Sequence, residues 1–365
     1  MLRRYTPGNL HPAFLAFAVA LVAVPLLLMV VEVPGESKVK DALGIFTRPA
    51  SQECGEVRHA GDPAGPWRSE RPLAAIRDEP RGTRRGNSIY LVGGISSLDL
   101  GTRTAKSLAV FERYDLRTGR YVRLPPLPAR LNHVGVAAYK GDIYVVGGFT
   151  DQLEDGEPTN AAWRYRTATR RWEAIAPMPT ARGGHGVAVV GDRLYVIGGR
   201  SFDARLSSVE VYDLRAGTWT VGSPLPTPRD HAGVGVYRGQ VYAAGGRQDK
   251  DYSLGVFERY DPRSDSWTRL PDIPRHVSSI ELVDVGGRLV AAGGGDARSD
   301  PAWVSGQTWA YDPSSRRWSQ LAPMPQPKHG YAAAAAGGRL YVFGGSTCGT
   351  FRATDGAQSL KVPRS

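Results

Sequence analysis

Residues 134–148 read Val-Gly-Val-Ala-Ala-Tyr-Lys-Gly-Asp-Ile-Tyr-Val-Val-Gly-Gly. Two apolar runs flank a Gly-Asp turn, which is hairpin chemistry, and the second run ends in a glycine pair. β-Branched and aromatic residues suit a pleated surface, and glycine suits a place where two backbones come close. The same ending recurs at Gly93-Gly94, Gly198-Gly199, Gly245-Gly246, Gly293-Gly294 and Gly344-Gly345. With Gly147-Gly148 that makes six pairs, at steps of 54, 51, 47, 48 and 51 residues. A period near 50 means one supersecondary unit built repeatedly.

Each unit continues in the same way. A Tyr is followed seven residues later by an aromatic: Tyr114 and Tyr121, Tyr165 and Trp172, Tyr212 and Trp219, Tyr260 and Trp267, Tyr311 and Trp318. A polar turn separates each pair, so a second hairpin is predicted. Exits such as Pro125-Pro126-Leu127-Pro128 and Pro177-Met178-Pro179 follow. Proline has no N–H for a ladder, so the fourth strand is an edge that stops there. The pattern resembles the Kelch family over about residues 54 to 345: double glycine, Tyr-Asp, spaced Trp and Pro-Met-Pro stand in order. The resemblance implies an all-β, six-bladed Kelch β-propeller of four-stranded blades.

The two ends of the repeat array explain each other. Leu73 to Ile89 aligns without a gap on Leu127 to Ile143, which puts residues 79 to 86 in an inner-strand position. Trp67 with Pro72-Leu73 reads as a fourth strand lacking its own blade, while the last unit has no Tyr-to-Trp pair. The N-terminal segment is therefore expected to supply the outer strand of blade six. Its third strand is either Ser359-Leu360-Lys361-Val362 or residues 54 to 60. In the second case the only two cysteines, Cys54 and Cys348, lie at one end of adjacent strands, and a disulfide is expected. Closing so long a loop is worth roughly 5 kcal/mol in the chain-entropy model.

Ahead of the propeller, Ala13 to Val31 contains no charge and is long enough to span a bilayer. Arg3 and Arg4 precede it, and Glu32 and Glu36 follow. The expected organisation is a short cytoplasmic N-terminus (1–12), a single uncleaved transmembrane helix (13–31), a linker (32–53) and the propeller (54–365). Positive charge stays inside, so the propeller is extracytoplasmic, where a disulfide persists. Net charge is +11, with 39 Arg against 7 Lys. No Lys/Arg block of nucleic-acid type occurs, so the expected partner is a protein or an anionic polymer or carbohydrate, with the membrane reached through the helix and no nucleic acid.

Where the outer strand of one blade links to the inner strand of the next, a basic residue and a histidine recur: Arg130 and His133, Arg182 and His185, Arg229 and His231, Arg275 and His276, Lys328 and His329. Gathered at one mouth of the channel, the guanidinium groups suit carboxylate or phosphate oxygens. As ordinary Kelch furniture, the same side chains tie blades together. The links between second and third strands emerge on the same face and vary in length, which is where individuality belongs. That of blade two holds Asp151, Glu154, Asp155 and Glu157; that of blade five holds Asp296, Asp300 and Trp303, an aromatic for a partner or a sugar face. The Asp-Gly-x-Asp register of a calcium loop is missing, and no metal or cofactor is expected. No zinc spacing, nucleophile elbow or phosphate loop stands out. The leading reading is a non-enzymatic binding module using its loop face. The alternative is an exported mutarotase or epimerase of the sialic-acid type, the activity of some exported six-bladed Kelch proteins that this chain resembles in arrangement, with Glu210, Glu258 or Glu281 as acid/base candidates. A copper radical oxidase needs a free Cys near two His and is the remotest reading.

Overall fold

Each blade is a meander that puts its first strand on the axis and its fourth at the rim. The computed structural model describes residues 65–96, 105–150, 156–202, 204–248, 253–296, 304–347 and 352–363. Every element among them is a strand. After β1 (Trp67–Glu70), blade one is β2 (Arg81–Arg85), β3 (Ser88–Val92), β4 (Phe111–Asp115) and β5 (Arg120–Arg123). Blade two is β6 (Gly135–Tyr139), β7 (Asp142–Val146), β8 (Ala162–Arg166) and β9 (Arg171–Ala174). Blade three is β10 (Gly186–Val190), β11 (Arg193–Ile197), β12 (Val209–Asp213) and β13 (Thr218–Gly222). Blade four is β14 (Gly233–Tyr237), β15 (Gln240–Ala244), β16 (Phe257–Asp261) and β17 (Ser266–Leu270). Blade five is β18 (Val283–Val285), β19 (Arg288–Ala292), β20 (Thr308–Asp312) and β21 (Arg317–Leu321), and blade six opens with β22 (Ala332–Ala336), β23 (Arg339–Phe343) and β24 (Ala357–Lys361).

Blade six is completed by β1, antiparallel to β24 with Trp67 opposite Leu360. The fourth strand thus comes from the N-terminal side, as expected, and the third comes from the C-terminus. Residues 54 to 60 are not that third strand, because β24 already pairs with β23 on its other edge. This removes the geometric basis for bonding Cys54 to Cys348, both of which lie outside the described residues. So do the expected membrane segment 13–31 and linker 32–53. Among the described residues no helix is long and apolar enough to cross a membrane.

Two rings of hydrogen bonds join the blades. The second glycine of every pair donates its N–H to the corner carbonyl of the next blade: Gly94 to Leu131, Gly148 to Arg182, Gly199 to Arg229, Gly246 to Val277, Gly294 to Lys328, and Gly345 back to Arg77, at 2.8–3.0 Å. The first glycine has no room for a side chain; a Cβ on Gly245 would lie 2.3 Å from the Val277 carbonyl oxygen. At the rim, each outer-strand aromatic donates to the exit carbonyl of the preceding blade. Trp172 reaches Pro125, Trp219 reaches Ala176, Trp267 reaches Ser223, Trp318 reaches Pro271 and Trp67 reaches Ala322, all at 2.8–3.1 Å. In blade one the Tyr121 hydroxyl takes the same place on Arg71, at 2.7 Å. Between these rings the core lies between blades: Phe111 of blade one meets Tyr165 of blade two edge-on, with centroids 4.8 Å apart.

Candidate functional site: the channel mouth and its corners

The corners leading into the six inner strands pair with the links between second and third strands, through Asp78↔Ile95, Asn132↔Phe149, Gly183↔Arg200, Asp230↔Arg247, Ser278↔Gly295 and His329↔Ser346. Both sets of links therefore share one face. The residue after each corner bridge has a positive φ: Glu79, His133, Gly184, His231, Ser279 and Gly330, at 51° to 65°. In that conformation their backbones link head to tail. Glu79 donates to Gly330, Gly330 to Ser279, Ser279 to His231, His231 to Gly184 and Gly184 to His133, at 2.6–3.1 Å. Between His133 and Glu79 the side chains meet instead, with Nε2 3.5 Å from Oε1. These six residues narrow the mouth of the channel.

The basic and histidine residues of the corners do not share one position. Just before each corner bridge stand Arg77, Leu131, Arg182, Arg229, Val277 and Lys328. Arg182 and Arg229 are fully buried and face inward, bonded to Glu210 and to Glu258 (2.6 Å) on the third strands of their own blades. Arg77 does the same with Glu112 at 2.5 Å. Burial lowers the pKa of each of these guanidinium groups, and the carboxylate beside it opposes the shift. Leu131 and Val277 share apolar clusters with Trp163 and Trp309, which occupy the glutamate position in blades two and five. Lys328 donates to the Gly356 carbonyl at 2.9 Å, and burial draws its pKa down to about 7. These groups are blade ties, not donors to an open mouth. Arg130 and His276 lie exposed on the outer part of their corners, with Arg275 half-buried.

Of the histidines, His133 and His231 meet at the mouth, with ring centroids 4.8 Å apart. His329 approaches Asp78 and Glu79. His185 stands apart, against Gly135 and Gly147, where an added Cβ would lie 2.6 and 2.8 Å from its ring. Burial and the charge of Arg182 bring His185 down to about 3, and burial with Arg247 brings His231 to about 4. Burial alone would raise Glu79, but the charges of His133 and Arg81 hold it well below the usual carboxylate range. Its neighbour Asp78 is pushed well above that range by burial and by Glu79.

Below this mouth the six inner strands enclose a cavity of 460 Å³. Its wall is mostly Gly, Ala and Val, with Arg81, Thr83, Arg84, His185, Glu281 and Asp284 as polar points. Arg81 bridges Glu79 (3.0 Å) and Glu281 (3.2 Å), and burial pushes Glu281 up to about 7. Glu281 thus reaches the channel, whereas Glu210 and Glu258 are held in buried ion pairs. Two of the three acid/base candidates of the epimerase reading are therefore unavailable, and that reading is not supported.

The sequence reading omitted Asp78, Glu79 and Arg81. The signal was present: the 54-residue offset between the first two units places Glu79 opposite His133. Above the mouth, Phe149 is buried beneath the Arg200 guanidinium, 4.8 Å from the ring centroid, and Phe202 is 64% exposed. Trp303, Asp151, Glu154, Asp155 and Asp300 lie outside the described residues, whereas Glu157 is exposed and Asp296 buried.

The family described as the KLHDC2/KLHL20/DRC7 Kelch-repeats domain matches residues 82–294. The chain is similar to Kelch-like protein terF of Aspergillus terreus, with 32% identity over 302 residues, covering 79% of this chain and 65% of that protein. It is also similar to Kelch-like protein 36 of Bos taurus, with 30% identity over 242 residues (63% and 38%). With Kelch-like protein 30 of Homo sapiens the identity is 34% over 262 residues (70% and 43%). The chain thus spans between about two fifths and just under two thirds of the length of these relatives.

Proposed function

The chain belongs to the Kelch-repeat family, and from that premise we propose that it is a membrane-anchored, extracytoplasmic propeller that binds a protein partner through its loop face. The observation that carries this reading is the division of labour between corners and links. The corners are spent on buried ties, while the links between second and third strands are unequal in length and their described ends pair with the corners on the same face. Fold alone does not dictate a partner, so the site must be tested. The uncharged segment from Ala13 to Val31, with Arg3 and Arg4 before it, supports the anchor and its orientation.

The test is capture of partners by the full chain from its own membranes. Changing Phe202 to Asp should abolish capture, whereas Arg215→Glu, on the hairpin turn between β12 and β13 at the opposite face, should not. Loss of capture with Arg215→Glu alone would overturn the loop face as the binding surface. Extraction at alkaline pH and protease treatment of intact cells check the setting. A propeller released into the soluble fraction, or protected from external protease, would overturn the anchor or the orientation.

A further inference from the structure

We propose that the channel mouth is a binding site for one divalent transition ion of the zinc class, held by Glu79, His133 and His231. One ligand atom from each residue lies within 4.8 Å of the other two. They come from the corners of blades one, two and four, on the ring where left-handed residues converge. A tetrahedral zinc site needs neighbouring ligands about 3.3 Å apart, so closing on the ion takes side-chain shifts of roughly 1 Å.

Three features mark this as a built site. First, both imidazoles are oriented from behind: His133 Nδ1 contacts Asn132 Oδ1, and His231 Nδ1 lies 2.9 Å from Asp230 Oδ1. With Nδ1 committed, the Nε2 lone pairs are the ligand atoms, the arrangement by which an outer carboxylate or amide fixes the tautomer of a metal-binding histidine. Second, the two glycines of the ring keep space for the ligands. A Cβ on Gly330 would sit 2.4 Å from Glu79 Oε1, and one on Gly184 would sit 3.1 Å from the His231 ring. Third, Asp78 Oδ2 is buried without a hydrogen-bond partner beside Glu79, and Asp78, Glu79 and His329 form a second set of mutually close ligand atoms. A cation at Glu79 adds to the positive charge that Arg81 already brings to this pair of adjacent carboxyls.

The donor set selects the ion. Two imidazoles and one carboxylate suit zinc and its neighbours, whereas calcium and magnesium want six or more oxygens. Arg81 stays on Glu79 Oε2 and leaves Oε1 for the metal.

The test uses the full chain, stripped with a chelator and titrated with Co²⁺ as a visible probe. The expected result is one Co²⁺ per chain with tetrahedral d–d absorption, displaced by Zn²⁺, together with a melting temperature that rises with Zn²⁺. His133→Ala and His231→Ala should each weaken binding at least about 100-fold, since even outer-partner changes cost 10- to 100-fold. Should either variant fail to fold, Glu79→Gln and His231→Gln, checked by circular dichroism, carry the same expectation. His276→Ala, on the exposed outer corner, should leave binding unchanged. Absence of d–d absorption, or binding that survives both His133→Ala and His231→Ala, would overturn the site.

Discussion

Arg182 shows how one residue serves one blade. Removing it leaves Glu210 as a buried carboxylate without its partner, which typically costs 3–5 kcal/mol. Arg182→Leu should therefore lower the urea midpoint sharply. Blades two and five already show another solution, Leu131 over Trp163 and Val277 over Trp309. The double change Arg182→Leu with Glu210→Trp should recover more than half of the loss; no recovery would mean that blade three cannot adopt the apolar corner. His185 makes a second residue-scale prediction. Its pKa is about 3 when folded, against 6.5 for the ordinary imidazole. Below pH 6.5 the unfolded chain takes up a proton that the folded chain refuses, so stability falls by up to about 1.4 kcal/mol per pH unit until about pH 3. Glu281, pushed to about 7 from 4.5, acts oppositely, adding stability as pH falls through that interval. Subtracting the curve of His185→Gln from that of the unsubstituted protein isolates the histidine. The difference should grow steadily from pH 6.5 downward, and a flat difference would refute the buried neutral imidazole.

Glycines that look alike in the sequence do different work according to the element they end. Gly191, in the turn between β10 and β11, has φ +60° and nothing within 4 Å of an added Cβ, so Gly191→Ala should cost only about 1–2 kcal/mol of backbone strain. Gly245 has φ +63°, but its Cβ would strike the next blade's backbone at 2.3 Å, so Gly245→Ala should cost about 3 kcal/mol or more. Denaturant midpoints of the two variants compare them directly, and equal losses would contradict the interlocking role. This scale also shows what was legible beforehand. Glycine pairs, Tyr–Trp spacing and proline exits sit at fixed distances from strands, so blade number, hairpins and even the poor inner strand at Arg81–Arg85 could be placed. The corners were missed, although their distances from the glycine pairs carried the signal. Arg130 with His133 and Arg182 with His185 have the same spacing, yet counted from the strand starts Gly135 and Gly186 they differ by one residue. That single step sends Arg182 into a buried ion pair and leaves Arg130 outside, and it sends His133 to the mouth and His185 between blades. Apolar period carries no information about a shift within a polar turn.

A propeller is a ring only if its last blade closes, and here closure rests on a few residues far apart in sequence. β1 supplies four residues to β24, the Trp67 indole donates to the Ala322 carbonyl, and Glu70 accepts from both Ser359 and Tyr114. Gly345 completes the inner ring on the Arg77 carbonyl, so blades six and one are held at both radii. The other joints have their two halves close together in the chain, whereas this one must form last or hold the ends against fraying. Each of these contacts is made by residues beyond position 53. Deleting residues 1–72 removes β1 and exposes the edge of β24, an open template for another strand. The shorter protein should lose its single cooperative transition and self-associate with increasing concentration, measurable by melting and light scattering together. Trp67→Ala tests the same joint more gently: loss of a buried indole should cost about 3–5 kcal/mol. If the 73–365 chain stays monomeric and melts as the longer one does, closure by the N-terminal strand is not what holds the ring.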